Sequence, residues 1–99
     1  MWYVFIGNDK PDTLALRVQT RATHLERLNA LKDQGRLLVA GPCPAIDNED
    51  PGPAGFTGSV VIAEFATLND AQTWADDEPY LAAGVYDSII IKPFKKVLP

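Results

Sequence analysis

Residues 36–65, RLLVAGPCPAIDNEDPGPAGFTGSVVIAEF, hold two strand-like runs with no helical stretch between them. The runs are Arg36–Ala40 and Ser59–Phe65, rich in Val, Leu, Ile and Phe. The Gly-, Pro- and Asp-rich segment 41–58 joins them; at about 18 residues it exceeds an ordinary hairpin loop, and loops that long tend to be functional. Upstream, Asp12 or Thr13 can cap a long helix that Gly35 closes. Its apolar stripe reads Leu14, Val18, Ala22, Leu25, Leu28 and the stem of Lys32. A first strand, Trp2–Ile6, precedes it. Downstream, Thr67 caps a second helix that carries Leu68, Ala71, Trp74 and Ala75 inward, with Asn69 and Asp70 in its first turn. A short turn over Pro79–Ala83 and a reversal at Gly84 lead to a last strand, Val85–Lys92. The order β-α-β-β-α-β predicts a ferredoxin-like α+β sandwich, one domain over residues 1–99.

The strands predict more. In such a fold both helices cover one sheet face, so the other should turn polar. Here Trp2, Val4 and Ile6 oppose Tyr3 and Phe5, while Val60 and Ile62 oppose Val61, Ala63 and Phe65. In the last strand Tyr86 and Ile90 oppose Val85, Ile89 and Ile91. Two apolar faces and one helical layer predict a homodimer packed sheet on sheet.

Charge and composition narrow the function. Nine Lys and Arg against 13 Asp and Glu give a net charge of −4, which argues against nucleic acid and anionic membrane surfaces. Apolar runs such as Leu37–Ala40 and Val60–Ala63 are far too short to span a bilayer. The first residues, MWYVFIGNDK, lack the basic region of a signal peptide. A lone cysteine, Cys43, forms no internal disulfide and favours a reducing cytoplasm. One histidine and one cysteine cannot supply a metal-ligand set, and no cofactor is expected.

His24 is the only histidine and so the only side chain whose unperturbed pKa lies near neutrality. It falls at the rim of the helical stripe, where it is either a surface histidine or an imidazole that meets a ligand. Arg21, one turn earlier, either snorkels outward along its stem or aims its guanidinium at a ligand carboxylate. The run Asp76-Asp77-Glu78 sits at a helix C-terminus, where the dipole disfavours negative charge. It is either a solvated face or a held carboxylate, since Pro79 fixes the backbone after Glu78. Cys43 lies between two prolines, with no base or helix N-terminus to activate it. Gly52, Gly55 and Gly58 precede a strand and make a poor phosphate loop. Asp47, Glu49 and Asp50 lack calcium-loop spacing. Ser59 stands at a strand start, without the sharp turn that exposes a nucleophile.

The stretches RATHLERL (21–28), GRLLVAGP (35–42), DPGPAGFTGS (50–59), EPYLAAGVY (78–86) and KPFKK (92–96) resemble the YciI-like (YCII-domain) family over nearly the whole chain. The resemblance implies a ferredoxin-like fold that dimerises as an α+β barrel. It also implies a site built on a histidine and an acid. His24 and Arg21 match the family's Arg-x-x-His motif, Ser59 matches its Gly-Ser strand start, and Glu78-Pro79 stands where the family has Asp-Pro. Glutamate thus replaces aspartate, Ala22 replaces a frequent proline, and Cys43 lies outside the pattern. Some relatives are dehydrochlorinases or muconolactone-type lyases. The implied activity is a cofactor-independent lyase, dehydrochlorinase-like enzyme or isomerase acting on a small carbonyl- or hydroxyl-bearing metabolite. In it His24 is general base, Glu78 orients it, and Arg21 and Ser59 bind substrate oxygens. The alternative is a non-catalytic dimeric module that holds a small anionic ligand.

Overall fold

The computed structural model describes residues Met1–Pro99, and the elements follow the predicted order. They are β1 (Trp2–Asp9), α1 (Leu14–Asp33), β2 (Leu37–Pro44), β3 (Phe56–Glu64), α2 (Leu68–Asp76), α3 (Pro79–Ala82) and β4 (Tyr86–Phe94). The strands pair antiparallel in the order β2-β3-β1-β4, which is the ferredoxin-like arrangement. No helix is long and apolar enough to cross a membrane.

Local chemistry sets the boundaries. Helix α1 ends in a Schellman motif: Gly35, at φ 71°, donates to the Lys32 carbonyl, and Arg36 donates to the Leu31 carbonyl. Thr67 caps α2 by accepting from the Asp70 amide at 3.1 Å. Thr13 occupies the N-cap of α1, but its hydroxyl donates backward to the Lys10 carbonyl at 2.8 Å. Strand β2 runs past Ala40 to Pro44, so the structureless loop is shorter than the sequence predicts and contains a 3-10 turn at Gly52–Ala54. Because β2 is an edge strand, Pro42 and Pro44 are tolerated in it.

The core lies between the sheet and the helices. Tyr3, Phe5, Val61 and Ala63 pack beneath Leu28, Leu31, Ala71 and Ala75. The face of α1 turned toward them differs from the predicted stripe. Val18 is 67% exposed and Ala22 is exposed, while Arg17, His24, Leu28 and Leu31 are buried. A polar cluster at the end of β1 draws Arg17 inward and rotates the helix away from the purely apolar stripe.

A register shift decides what β4 contributes. Gly7 faces Ile89 and Asn8 faces Ser88, but Asp9 faces Tyr86. Unbroken alternation from Ile91 and Ile89 would point Asp87 inward; the bulge leaves Asp87 exposed and buries Tyr86 on the helix side. Tyr86 therefore does not share the face of Ile90. Its ring rests on Gly7, where a Cβ would stand 2.6 Å from the ring carbon that bears the hydroxyl. Only glycine leaves that space. The opposite sheet face carries Trp2, Val4, Ile6, Val60 and Ile62, with Val39 53% and Ile90 44% exposed.

Candidate active site

Helix α1 brings Arg17 and His24 to one line because they stand two turns apart on the same face. His24 Nδ1 lies 2.6 Å from Glu78 Oε1, and both side chains are buried. A carboxylate only accepts, so the shared proton belongs to Nδ1, and in the neutral form of the ring the lone pair is on Nε2. Nε2 has no protein partner and is not sealed from solvent. The longer reach of glutamate therefore still makes the contact with the imidazole.

Glu78 is held by its own backbone. It is the N-cap of α3, with Pro79 at the first helical position, and Oε1 also accepts from the Tyr80 amide at 3.2 Å. Of the acidic run, Asp76 and Asp77 are exposed while Glu78 is 3% exposed. The Tyr80 ring stacks on the imidazole with centroids 4.0 Å apart and planes 14° from parallel. The ring thus has one edge tied to a carboxylate and one face covered.

Arg17 is the functional residue that sequence reasoning missed. Its Nε and Nη2 donate to Asp9 Oδ2 at 2.6 Å and Oδ1 at 3.2 Å. Nη2 also donates to the Gly58 carbonyl at 2.9 Å and to Ser59 Oγ at 2.7 Å. The guanidinium lies among the rings of Phe56, Tyr80 and Tyr86, its carbon 4.9 Å from the Tyr80 centroid. Burial alone would lower its pKa, but the hydrogen bond and charge of Asp9 more than offset this, so the cation is held above its ordinary value. Nη1 makes no hydrogen bond to protein and is not sealed from solvent.

Arg17, His24, Ser59 and Tyr80 line a cavity of about 200 Å³ together with Leu25, Leu28, Pro42 and Val61. Arg21, exposed, stands on its wall. The structure brings His24, Glu78 and Ser59 together, and it leaves Arg21 beside them without a hydrogen bond to any of the three. No group of His, Cys, Asp and Glu is arranged to hold a metal.

The two phenols give a pH prediction. Burial pushes Tyr86 up to about 12, against the opposing pull of the adjacent Ser59 hydroxyl. Burial also raises Tyr80, partly countered by Arg17 and Arg21. Both groups ionise more readily once the chain unfolds. The contribution of Tyr86 to stability is complete below the ordinary phenol value of 10 and is lost as pH rises through about 12, and that of Tyr80 is lost in the same direction. Phenolate absorbance should show a late-titrating tyrosine whose loss from the spectrum of Tyr86→Phe identifies it. Unchanged late absorbance in that variant would overturn the assignment.

Comparison with known proteins gives a consistent picture. The YCII-related domain model matches residues 1–95. Protein YciI of Escherichia coli O6:H1 is 60% identical over 97 residues, covering 98% of this chain and 99% of that protein. An uncharacterized protein of Haemophilus influenzae is 55% identical over 97 residues, with the same coverage of 98% and 99%. Among solved structures, 5-chloro-2-hydroxyhydroquinone dehydrochlorinase (TftG) of Burkholderia phenoliruptrix, in complex with 2,5-dihydroxybenzoquinone, is similar with a TM-score of 0.83. It is 25% identical, with 96% of this chain and 94% of that one covered.

Proposed function

The chain belongs to the YCII-related domain family, and on that premise we propose that it is a cofactor-independent lyase or isomerase of the dehydrochlorinase kind, acting on a small carbonyl- or hydroxyl-bearing ring compound. The observation that carries this reading is the 2.6 Å contact between His24 Nδ1 and Glu78 at the wall of a cavity that Arg17 and Ser59 also line. The likeness to the dehydrochlorinase supports the substrate class.

In this mechanism Nε2 of His24 removes a proton from a carbon beside a carbonyl, or, in the keto tautomer of a chlorinated hydroquinone, from the ring hydroxyl conjugated with the carbon that bears chlorine. The electron pair moves onto the carbonyl oxygen, which Arg17 Nη1, Arg21 and the Ser59 hydroxyl hold. Collapse of the enolate expels a leaving group such as chloride, so the substrate loses a proton and an anion. Glu78 fixes the imidazole tautomer and steadies the imidazolium. Where no leaving group is present, return of the proton to a different carbon makes the same site an isomerase.

The test is release of chloride from 5-chloro-2-hydroxyhydroquinone by the purified chain. Release above the uncatalysed rate supports the lyase. The same compound bound and recovered unchanged, with no chloride released, overturns it in favour of the binding module.

The same proposal takes the molecule as a cytoplasmic homodimer joined through the apolar sheet face of Trp2, Val4, Ile6, Val60 and Ile62. Sedimentation should give twice the 10.8 kDa chain mass. Ile62→Asp, which places a charge in the middle of that face, should reduce it to a single chain. A wild-type protein that sediments as one chain at micromolar concentration would end the dimer reading.

A further inference from the structure

Behind Glu78, on the side away from His24, lies an arginine that the mechanism above does not use. Arg27 is three residues beyond His24 on α1. Its Nη2 donates to the Trp74 carbonyl at 2.6 Å, and its guanidinium lies 4.6 Å from the centre of the Trp74 ring. Helix α2 therefore fixes the group from two directions. Its Nη1 is fully buried and makes no hydrogen bond, although Glu78 Oε2 stands 3.6 Å away. That distance is an ion pair but not a hydrogen bond. A buried N–H left unpaired is rare and asks for an explanation.

We infer that Arg27 is a positioning residue for the His24–Glu78 pair, a fixed cation that shares the carboxylate with the imidazole and restrains protonation of His24. Oε1 is committed to Nδ1 and to the Tyr80 amide, so Oε2 is the oxygen left to answer a charge from behind. The carboxylate stands between two positive groups once His24 takes a proton. Arg27 then opposes the imidazolium, while Glu78 favours it. A base must start neutral, and Arg27 is the charge behind the pair that works in that direction, against Glu78. The inference rests on the reading of His24 and Glu78 as a working pair.

The charged and titratable groups around the imidazole are few. Arg17, Arg21 and Arg27 come from α1, Glu78 and Tyr80 from the start of α3, Tyr86 from β4 and Asp9 from β1. Helix α2 supplies Trp74, which is neutral.

Because His24 is the only histidine, its ring resonances report its protonation without assignment and without a substrate. Three variants followed by NMR titration separate the ideas. Glu78→Gln, which removes the favouring charge, should lower the His24 midpoint. Arg27→Gln, which removes the opposing charge, should raise it. Arg27→Lys, which keeps a cation, should stay close to the wild type and rescue the shift.

A midpoint that stays put or falls in Arg27→Gln overturns the inference, while a lowered Glu78→Gln midpoint leaves the pair itself standing. A Glu78→Gln midpoint that does not move overturns the pair. If Arg27→Gln does not fold, Trp74→Leu takes its place: it removes the ring under the guanidinium and should move the His24 midpoint upward, and no movement there counts against the inference.

Discussion

Replacing His24 with glutamine is expected to lower turnover roughly 10²–10⁴-fold, the usual contribution of a positioned general base. Glutamine is the informative choice because its amide nitrogen can still donate to Glu78, so the buried carboxylate keeps a partner. The loss should appear equally in kcat and kcat/KM, because a group that removes a proton only in the transition state adds nothing to ground-state binding. Ligand affinity, set by Arg17, Ser59 and Arg21, should change little. Chloride release, or proton exchange at the activated carbon of a bound hydroxyquinone, provides the measurement. A His24→Gln enzyme that works at the wild-type rate removes His24 from the chemistry and with it the role proposed for Glu78. One that neither binds nor turns over ligand points instead to a binding function for the ring.

How much of this site the sequence displays depends on the kind of signal each residue carries. The strand order was legible because β-branched and aromatic runs alternate with capped helices, and caps such as Thr67 and Gly35 act locally. His24 stood out because it is unique, and Glu78 because Pro79 follows it. Arg17 did not stand out, since hydrophobic periodicity treats a charge as a solvent marker. It is nevertheless seven residues before His24, the spacing that returns a helix to one face after two turns. Asp9 continues the inward alternation of Tyr3, Phe5 and Gly7 in β1, so the partner of Arg17 is also legible in the strand pattern. Pairing the two needed tertiary geometry. Tyr86 was hidden by a bulge, an insertion that flips the facing of a strand and that nothing in local composition announced.

The largest effect on stability is expected at that hidden pair. Arg17→Met removes the guanidinium from Asp9, whose side chain is only 2% exposed, and leaves a carboxylate with no counter-charge in the core. Removing one partner of a buried pair typically costs about 3–5 kcal/mol, a large share of the roughly 5–15 kcal/mol that holds a domain together. Methionine fills much of the volume among Phe56, Tyr80 and Tyr86, so the loss is mainly electrostatic rather than a cavity effect. Asp9→Asn should cost less, because the stranded guanidinium keeps the Gly58 carbonyl, Ser59 Oγ and three aromatic faces. The double variant should recover part of the Arg17→Met loss, since no unpaired charge then remains. Urea unfolding of the four proteins closes the cycle, and if Arg17→Met alone does not fold, the order of the remaining three still decides. An Arg17→Met protein within about 1 kcal/mol of wild type would mean that the pair behaves like an exposed surface bridge. In that case Asp9 would not be what draws Arg17 into the core or rotates α1 away from its apolar stripe.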